Sequence, residues 1–253
     1  MKKQKIRFYA ALLCSSMVLS LVSTPVSAAE TGQLTNPPTS TEGPGSPESA
    51  SGNEAAAVLN GLSVSALTAN RVAEVTTAEH LTDMLADSSV VKITLAENIY
   101  IGSTLTVNRA VTLDLNGFVL RMTKEGSVIK VEQGGELTIA DSDTDKAHKF
   151  VQSTGGLWVL VDDSSKTVYG GIITGGNAQK GGGVYVASGC TFVMATSSNI
   201  HNCIANNDGG GVINHGTFKM YGGTISACTT VAFGGGGVCN KGTFIMSDGM
   251  IKG

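Results

Sequence analysis

The sequence predicts an all-β fold, a parallel β-helix solenoid capped by one short helix, and three observations predict it. First, residues 170–253 repeat. The phrase GGGV occurs at 181–184, 209–212 and 235–238, and each copy leads to a Thr-Phe pair at Thr191-Phe192, Thr217-Phe218 and Thr243-Phe244. These phenylalanines are spaced 26 and 26 residues apart. Second, 21 of the 84 residues in that stretch are glycine. Third, all five prolines precede position 48. An internal strand needs its N–H groups for the ladder and cannot accommodate proline. A repeat of this length with short strands and glycine corners fits one coil of a β-helix. Helical repeats would not tolerate three consecutive glycines in every unit, and the leucine-rich pattern is absent.

Taken in chain order, residues 1–28 have the form of a secretory signal. The basic stretch MKKQKIR precedes an apolar run from Ala10 to Val22, then Val26-Ser27-Ala28 offers small residues to a signal peptidase. A run of thirteen residues is too short for a hydrocarbon core of about 30 Å, so a membrane anchor is disfavoured. Cys14 follows Leu13, which is not the small residue a lipoprotein signal needs. Secretion to the extracellular space or the cell surface is expected, with no membrane-integral segment. Residues 29–74 are rich in Thr, Ser, Pro and Gly and read as a disordered linker, because they carry too little apolar surface to offset ordering. The folded part is assigned to 75–253.

A short helix over 77–87 opens that part. Thr76 and Glu79 stand at capping-box spacing, and Leu81, Met84 and Leu85 form one apolar stripe. From Val90 the period changes to two, through Lys92–Leu95, Leu105–Val107, Val111–Leu115, Val128–Val131 and Leu137–Ile139, with a turn at Asn116-Gly117.

In a coil, residue i stacks on residue i+26 at the strand spacing of about 4.8 Å. Phe192, Phe218 and Phe244 then form an internal aromatic ladder. Val184, Val212 and Val238 form a second, and Met194, Met220 and Met246 a third. Ile200, Ile225 and Ile251 recur in step. Asn214 and Asn240 align immediately after a strand, where stacked amides can exchange hydrogen bonds. Cys203 and Cys228 occupy equivalent positions in adjacent coils. Their separation permits a disulfide, although parallel side chains favour a buried free-thiol ladder. A fainter copy of the repeat is read at Thr167–Ile172.

The repeat resembles right-handed parallel β-helix proteins of the pectate-lyase-like fold, and in particular glycine-rich surface repeat proteins of gut Gram-positive bacteria. Their repeats read much like GGGVYV…GTF-M-GGTIS. The stretch from Asn177 to Tyr185 is more loosely similar to the repeats of polymorphic outer-membrane adhesins. The resemblance covers residues 75–253 and implies about six coils with an N-terminal helix over the first. Because the repeat encodes packing, it implies little about activity.

Charge and motif content narrow the function. Removing residues 1–28 leaves 13 basic residues against 20 acids, about −7, so no basic surface remains for nucleic acid. Lyases that the fold resembles use calcium carboxylates and a basic residue, often arginine, yet no arginine follows Arg121. Hydrolases that it resembles carry Asn-x-Asp, Asp-Asp, Gly-His-Gly and Arg-x-Lys. Here only Asp162-Asp163 matches the second, and Asn214-His215-Gly216 part of the third. Asp162-Asp163 therefore reads as a solvated loop.

Asp141, Asp143 and Asp145 match the opening of a calcium loop, but Lys146 and Gln152 replace its glycine and glutamate. A bulging acidic loop is the preferred reading. No cofactor or metal is implied. The expected function is a non-catalytic adhesion or stalk protein meeting a glycan or host extracellular matrix, with a polysaccharide lyase or hydrolase as the alternative. The sequence stops two residues after Ile251 with no capping element, so further coils and a cell-wall anchoring region are expected in the intact gene.

Overall fold

A computed structural model of the chain describes residues 71–152, 158–161, 166–232 and 234–253. They belong to the compact unit Asn53–Gly253. The export signal, nearly all of the linker and Asp162-Asp163 lie outside the described residues. The fold is all-β: mostly parallel strands, with the largest sheet curling through 280°. The described residues contain one helix.

The first strand, Arg71–Val75, lies at the end of the stretch read as linker and pairs in parallel with Val90–Leu95. Because Val75 still belongs to this strand, the helix starts one residue later than the capping-box spacing implies. It spans Ala78–Ala86, and Thr77, not Thr76, caps it, its Oγ1 accepting from His80 N at 3.1 Å. Leu81 and Leu85 are buried. At nine residues the helix is too short to stand alone. Arg109 fastens its C-terminal end, donating from Nη2 to Met84 O (2.7 Å) and from Nε to Leu85 O (2.8 Å). These are carbonyls the last turn leaves without an intrahelical partner.

Side chains from distant repeats stack in register within each ladder. In the largest, Val111, Leu137, Phe192, Phe218 and Phe244 pair in turn, and two residues on so do Leu113, Ile139, Met194, Met220 and Met246. The Phe192 and Phe218 centroids are 5.0 Å apart and those of Phe218 and Phe244 4.8 Å, all nearly parallel. A second ladder runs from Leu120 through Ile173, Ile200 and Ile225 to Ile251. A third runs from Leu105 through Ile129, Val184 and Val212 to Val238. Asn214 and Asn240 end strands of the third ladder, as their final residues. The fully buried Asn214 donates from Nδ2 to Asn240 Oδ1 (2.7 Å) and to Thr243 O (2.8 Å).

The triple-glycine phrase follows from the same stacking. A Cβ on Gly210 would collide with the carbonyl oxygens of Thr229 and Gly236 in the layer above, and one on Gly182 would meet those of Ile204 and Gly210. Backbone packs on backbone here, and only glycine leaves room. Cys203 and Cys228 are buried free thiols in equivalent settings. The Cys228 side chain and burial together push the Cys203 thiol upward in pKa. The outermost strand, Thr243–Lys252, pairs with Thr217–Ser226 and with no other strand among the described residues. Accordingly Phe244 is only partly buried and Met246 is 43% exposed.

The chain departs from the repeat between Asp141 and Gly171. The stretch read as a bulging loop and then a faint repeat holds a three-stranded antiparallel sheet: Ala147–Gln152 at its centre, flanked by Trp158–Val161 and Lys166–Tyr169. Lys166–Tyr169 thus pairs with this insert and not with the parallel ladder. The residue under Phe192 is Leu137. The insert docks through Phe150, which is buried against Val119 and Ile172. Its ring meets the fully buried His201 edge-on at 4.7 Å.

Two stability predictions follow from this packing. Phe218→Ala removes a ring enclosed on both sides and should cost about 3–5 kcal/mol in urea unfolding. Phe244→Ala, at the exposed edge, should cost distinctly less. Burial, followed by the positive charges of Lys166 and Lys252, lowers the His201 pKa from 6.5 to about 4. Between those values the unfolded chain binds a proton that the folded chain refuses. Stability should therefore fall as pH drops through that window, by about 3 kcal/mol in total. Urea midpoints measured from pH 7 to pH 4 should show this slope, and His201→Gln should flatten it.

Candidate functional site

The ladder residues face inward, so sites must come from the corners between ladders. Gly175, Asn202 and Ala227 each follow a strand of the second ladder, and all three take left-handed backbone conformations (φ 77°, 55° and 51°). Stacked turns of this kind leave a recess at the surface. Beside it, Gly126 and Asn177 bridge the chain with two backbone hydrogen bonds: Gly126 N donates to Asn177 O at 2.7 Å and Asn177 N to Gly126 O at 3.0 Å.

Two adjoining clefts flank this bridge and share Glu125 and Asn177. One, of about 440 Å³, is lined by Arg121, Thr123, Lys124 and Asn202, with Val159 of the insert in its wall. The other, of about 580 Å³, is lined by Ser127, Gln179, Lys180, Tyr185 and Asn206. The Tyr185 ring is held between Lys130, whose Nζ lies 5.7 Å from its centroid, and His215, whose ring lies 5.6 Å away. Lys180 stands 3.9 Å from Asp208, which also binds Lys241 at 2.7 Å. The Lys241 hydrogen bond holds the Asp208 pKa below the usual carboxylate range, and Asp208 in turn raises that of Lys241.

This double cleft presents amides, a hydroxyphenyl face, a guanidinium and ammonium groups over a rigid sheet. Such a surface can hydrogen-bond and stack on a polyhydroxylated ligand. Glu125 is the one carboxylate lining the two clefts among the described residues. Hydrolysis of a glycosidic bond ordinarily takes a pair.

Among the described residues, none that the sequence singled out as a site candidate lines these clefts. Asp141, Asp143 and Asp145 do not converge, and the described residues hold no cluster of three or more metal-ligating side chains. Asp141 is buried, with Oδ1 accepting from Gly117 N and Oδ2 from Gly171 N, both at 2.7 Å. It ties the start of the insert to its end. Burial raises its pKa, while the Gly171 and Gly117 amides pull the other way. Asp143 pairs with Lys146 at 3.5 Å and accepts from Asp145 N, and Asp145 is exposed. Asp141 thus acts as a structural clamp, and Asp143 and Asp145 lie in the surface turn that follows it. Nearby, burial opposes ionisation of Asp114, but Lys92 at 2.8 Å and the Ser142 and Asn116 amides outweigh it and hold its pKa low.

The Asn214-His215-Gly216 match also has a packing role. Asn214 Oδ1 accepts from Gly216 N at 3.1 Å, and His215 leans on Tyr185. The cleft residues escaped notice because they share no spacing. They come from strands and corners of separate repeats, and the one legible hint was the recurrence of asparagine at positions 177, 202 and 206.

Asp141→Ala should leave the Gly117 and Gly171 amides without their acceptor. It should cost about 1–3 kcal/mol for each donor left buried, measured as a lowered urea midpoint. Added calcium should not shift the wild-type midpoint. Among the described residues no helix is long and apolar enough to cross a membrane. No family model, no curated protein and no solved structure matches this chain.

Proposed function

We propose that the chain is an exported, non-catalytic right-handed parallel β-helix of about six coils that binds glycan at the cell surface or in the extracellular matrix of a host. The 26-residue spacing, the in-register ladders and the 280° curl of the parallel sheet support this coil geometry. The basic–apolar–small pattern of residues 1–28 supports export.

The double cleft around the Gly126–Asn177 bridge carries the binding reading. It is open, and amides, cations and one tyrosine stand in it among the apolar side chains of Met122, Val159 and Ile204. A ligand rich in hydroxyl groups satisfies amide donors and acceptors together, and the apolar face of a sugar ring can lie on Tyr185. A preformed site also avoids the ordering cost that weakens recognition by flexible loops.

Purified residues 29–253 should bind a subset of glycans on an array, and Asn177→Ala with Tyr185→Ala should weaken that binding with the thermal midpoint unchanged. Absence of binding to every glycan and matrix protein tested overturns the adhesion reading. Release of reducing ends or unsaturated uronates from a bound polysaccharide overturns the non-catalytic one.

A further inference from the structure

We propose that the smaller cleft selects an anionic sugar, one carrying a carboxylate or a sulfate, and that Arg121 and Lys124 are the residues that read the charge. The inference rests on the glycan-binding reading of the same site and adds the chemical class of its ligand.

The observation behind it is a local excess of positive charge that no ion pair among the described residues neutralises. The whole sequence has 17 basic residues against 20 acids, so a cationic recess runs against the chain's overall balance. In the smaller cleft Arg121 and Lys124 face one carboxylate, Glu125. None of the three makes an ion pair or a side-chain hydrogen bond among the described residues. The other lysines near the double cleft are engaged. Lys180 faces Asp208, and Lys130 binds Glu132 at 2.6 Å beside the Tyr185 ring.

Arg121 is the fixed element of the pair. It lies in the strand Val119–Met122, between Tyr100 of one neighbouring strand and Thr174 of the other. Both sides of its backbone are therefore held. Its side chain is half-buried, against Gly175 of the corner turn. A half-buried guanidinium keeps more of its field than an exposed one, and its planar fork matches the two oxygens of a carboxylate or sulfate. Lys124 is exposed, its stem lying against Gly102. It supplies a second, adjustable cation across the mouth of the cleft. Thr123 and Asn177 stand beside them for the sugar hydroxyls. Glu125 repels an anion at the rim, so its removal should strengthen binding.

The test measures binding of residues 29–253 to three immobilised polymers: heparin for sulfate, polygalacturonate for carboxylate, and dextran as the neutral control. Binding to heparin, polygalacturonate or both should exceed that to dextran and should weaken as salt is raised. Lys124→Glu and Arg121→Ala should each weaken it about tenfold, and Glu125→Gln should strengthen it severalfold. Thermal midpoints of all variants are recorded in parallel, and Lys124→Glu, on an exposed side chain, keeps the test valid if Arg121→Ala loses stability. Which of the two anionic polymers is retained assigns sulfate or carboxylate. Equal binding to dextran and the anionic polymers, unmoved by Lys124→Glu, overturns this inference and leaves the glycan reading standing. No binding to any polymer, with the same protein also silent on a neutral glycan array, overturns both.

Discussion

Everything in this fold depends on parallel strands stacking in register, layer upon layer, so that one side chain lies directly over its counterpart in the next repeat. The strand spacing of about 4.8 Å is close to the separation at which aromatic rings stack favourably. Phe192, Phe218 and Phe244 exploit that coincidence. The same spacing brings backbone within contact of backbone at the glycine triplets, where a Cβ on Gly182, Gly183, Gly210 or Gly211 would strike a carbonyl oxygen. Aromatic ladder and glycine corner are thus two consequences of one constraint. Changing the register by one residue would turn Phe218 outward and set side chains against the carbonyl of Thr229 at once.

The insert between Asp141 and Gly171 shows how a stacked fold tolerates an interruption. Its two ends are brought together by one carboxylate: Asp141, at the start, accepts a hydrogen bond from Gly171 N at the end and a second from Gly117 N of the Asn116-Gly117 turn. The layers on either side then continue as if adjacent: Glu136–Ala140 pairs with Thr191–Met194, and Val119–Met122 with Ile172–Thr174. The insert gains its own anchorage from Phe150, buried in a small second cluster with Val119 and Ile172. It also contributes Val159 to the wall of the smaller cleft. A feature that breaks the repeat therefore shapes the surface where the repeat alone would be uniform.

Rigidity underneath and polar groups on top is the combination on which the proposed binding function rests. The ladders fill the interior with apolar side chains, apart from a few satisfied polar groups such as Asn214. Outward-facing strand residues and corner residues are free of that packing duty. Arg121, Lys124, Asn177, Tyr185 and Asn206 can project from a backbone that the ladders hold still. Binding groups presented this way lose little conformational freedom when a ligand arrives.

Much of the architecture was legible from the sequence alone, because a periodic fold writes its period into the chain. The pairs Phe192–Phe218, Val184–Val212, Met194–Met220, Cys203–Cys228 and Asn214–Asn240 could be read from spacing, since a residue and its stack partner are the same letter in the same phrase. The Ala78–Ala86 helix was legible from its apolar stripe, to within one residue at its cap. The insert was not. Its strands pair antiparallel with one another, and turn-linked strands of that kind carry no signature of the 26-residue period. The double cleft was not legible either. It is assembled from residues near 121–127, 159, 175–180, 185 and 202–206, whose proximity exists only after the layers have stacked and the insert has docked. The acidic run at Asp141–Asp145 was legible as an acidic loop, but the role of its first residue was not: the tertiary structure brings two backbone amides to Asp141 and leaves Asp143 and Asp145 near the surface. Sequence determined what repeats, because repetition is local and periodic. Tertiary structure decided what meets at the corners, because those meetings depend on how far each layer turns before the next begins.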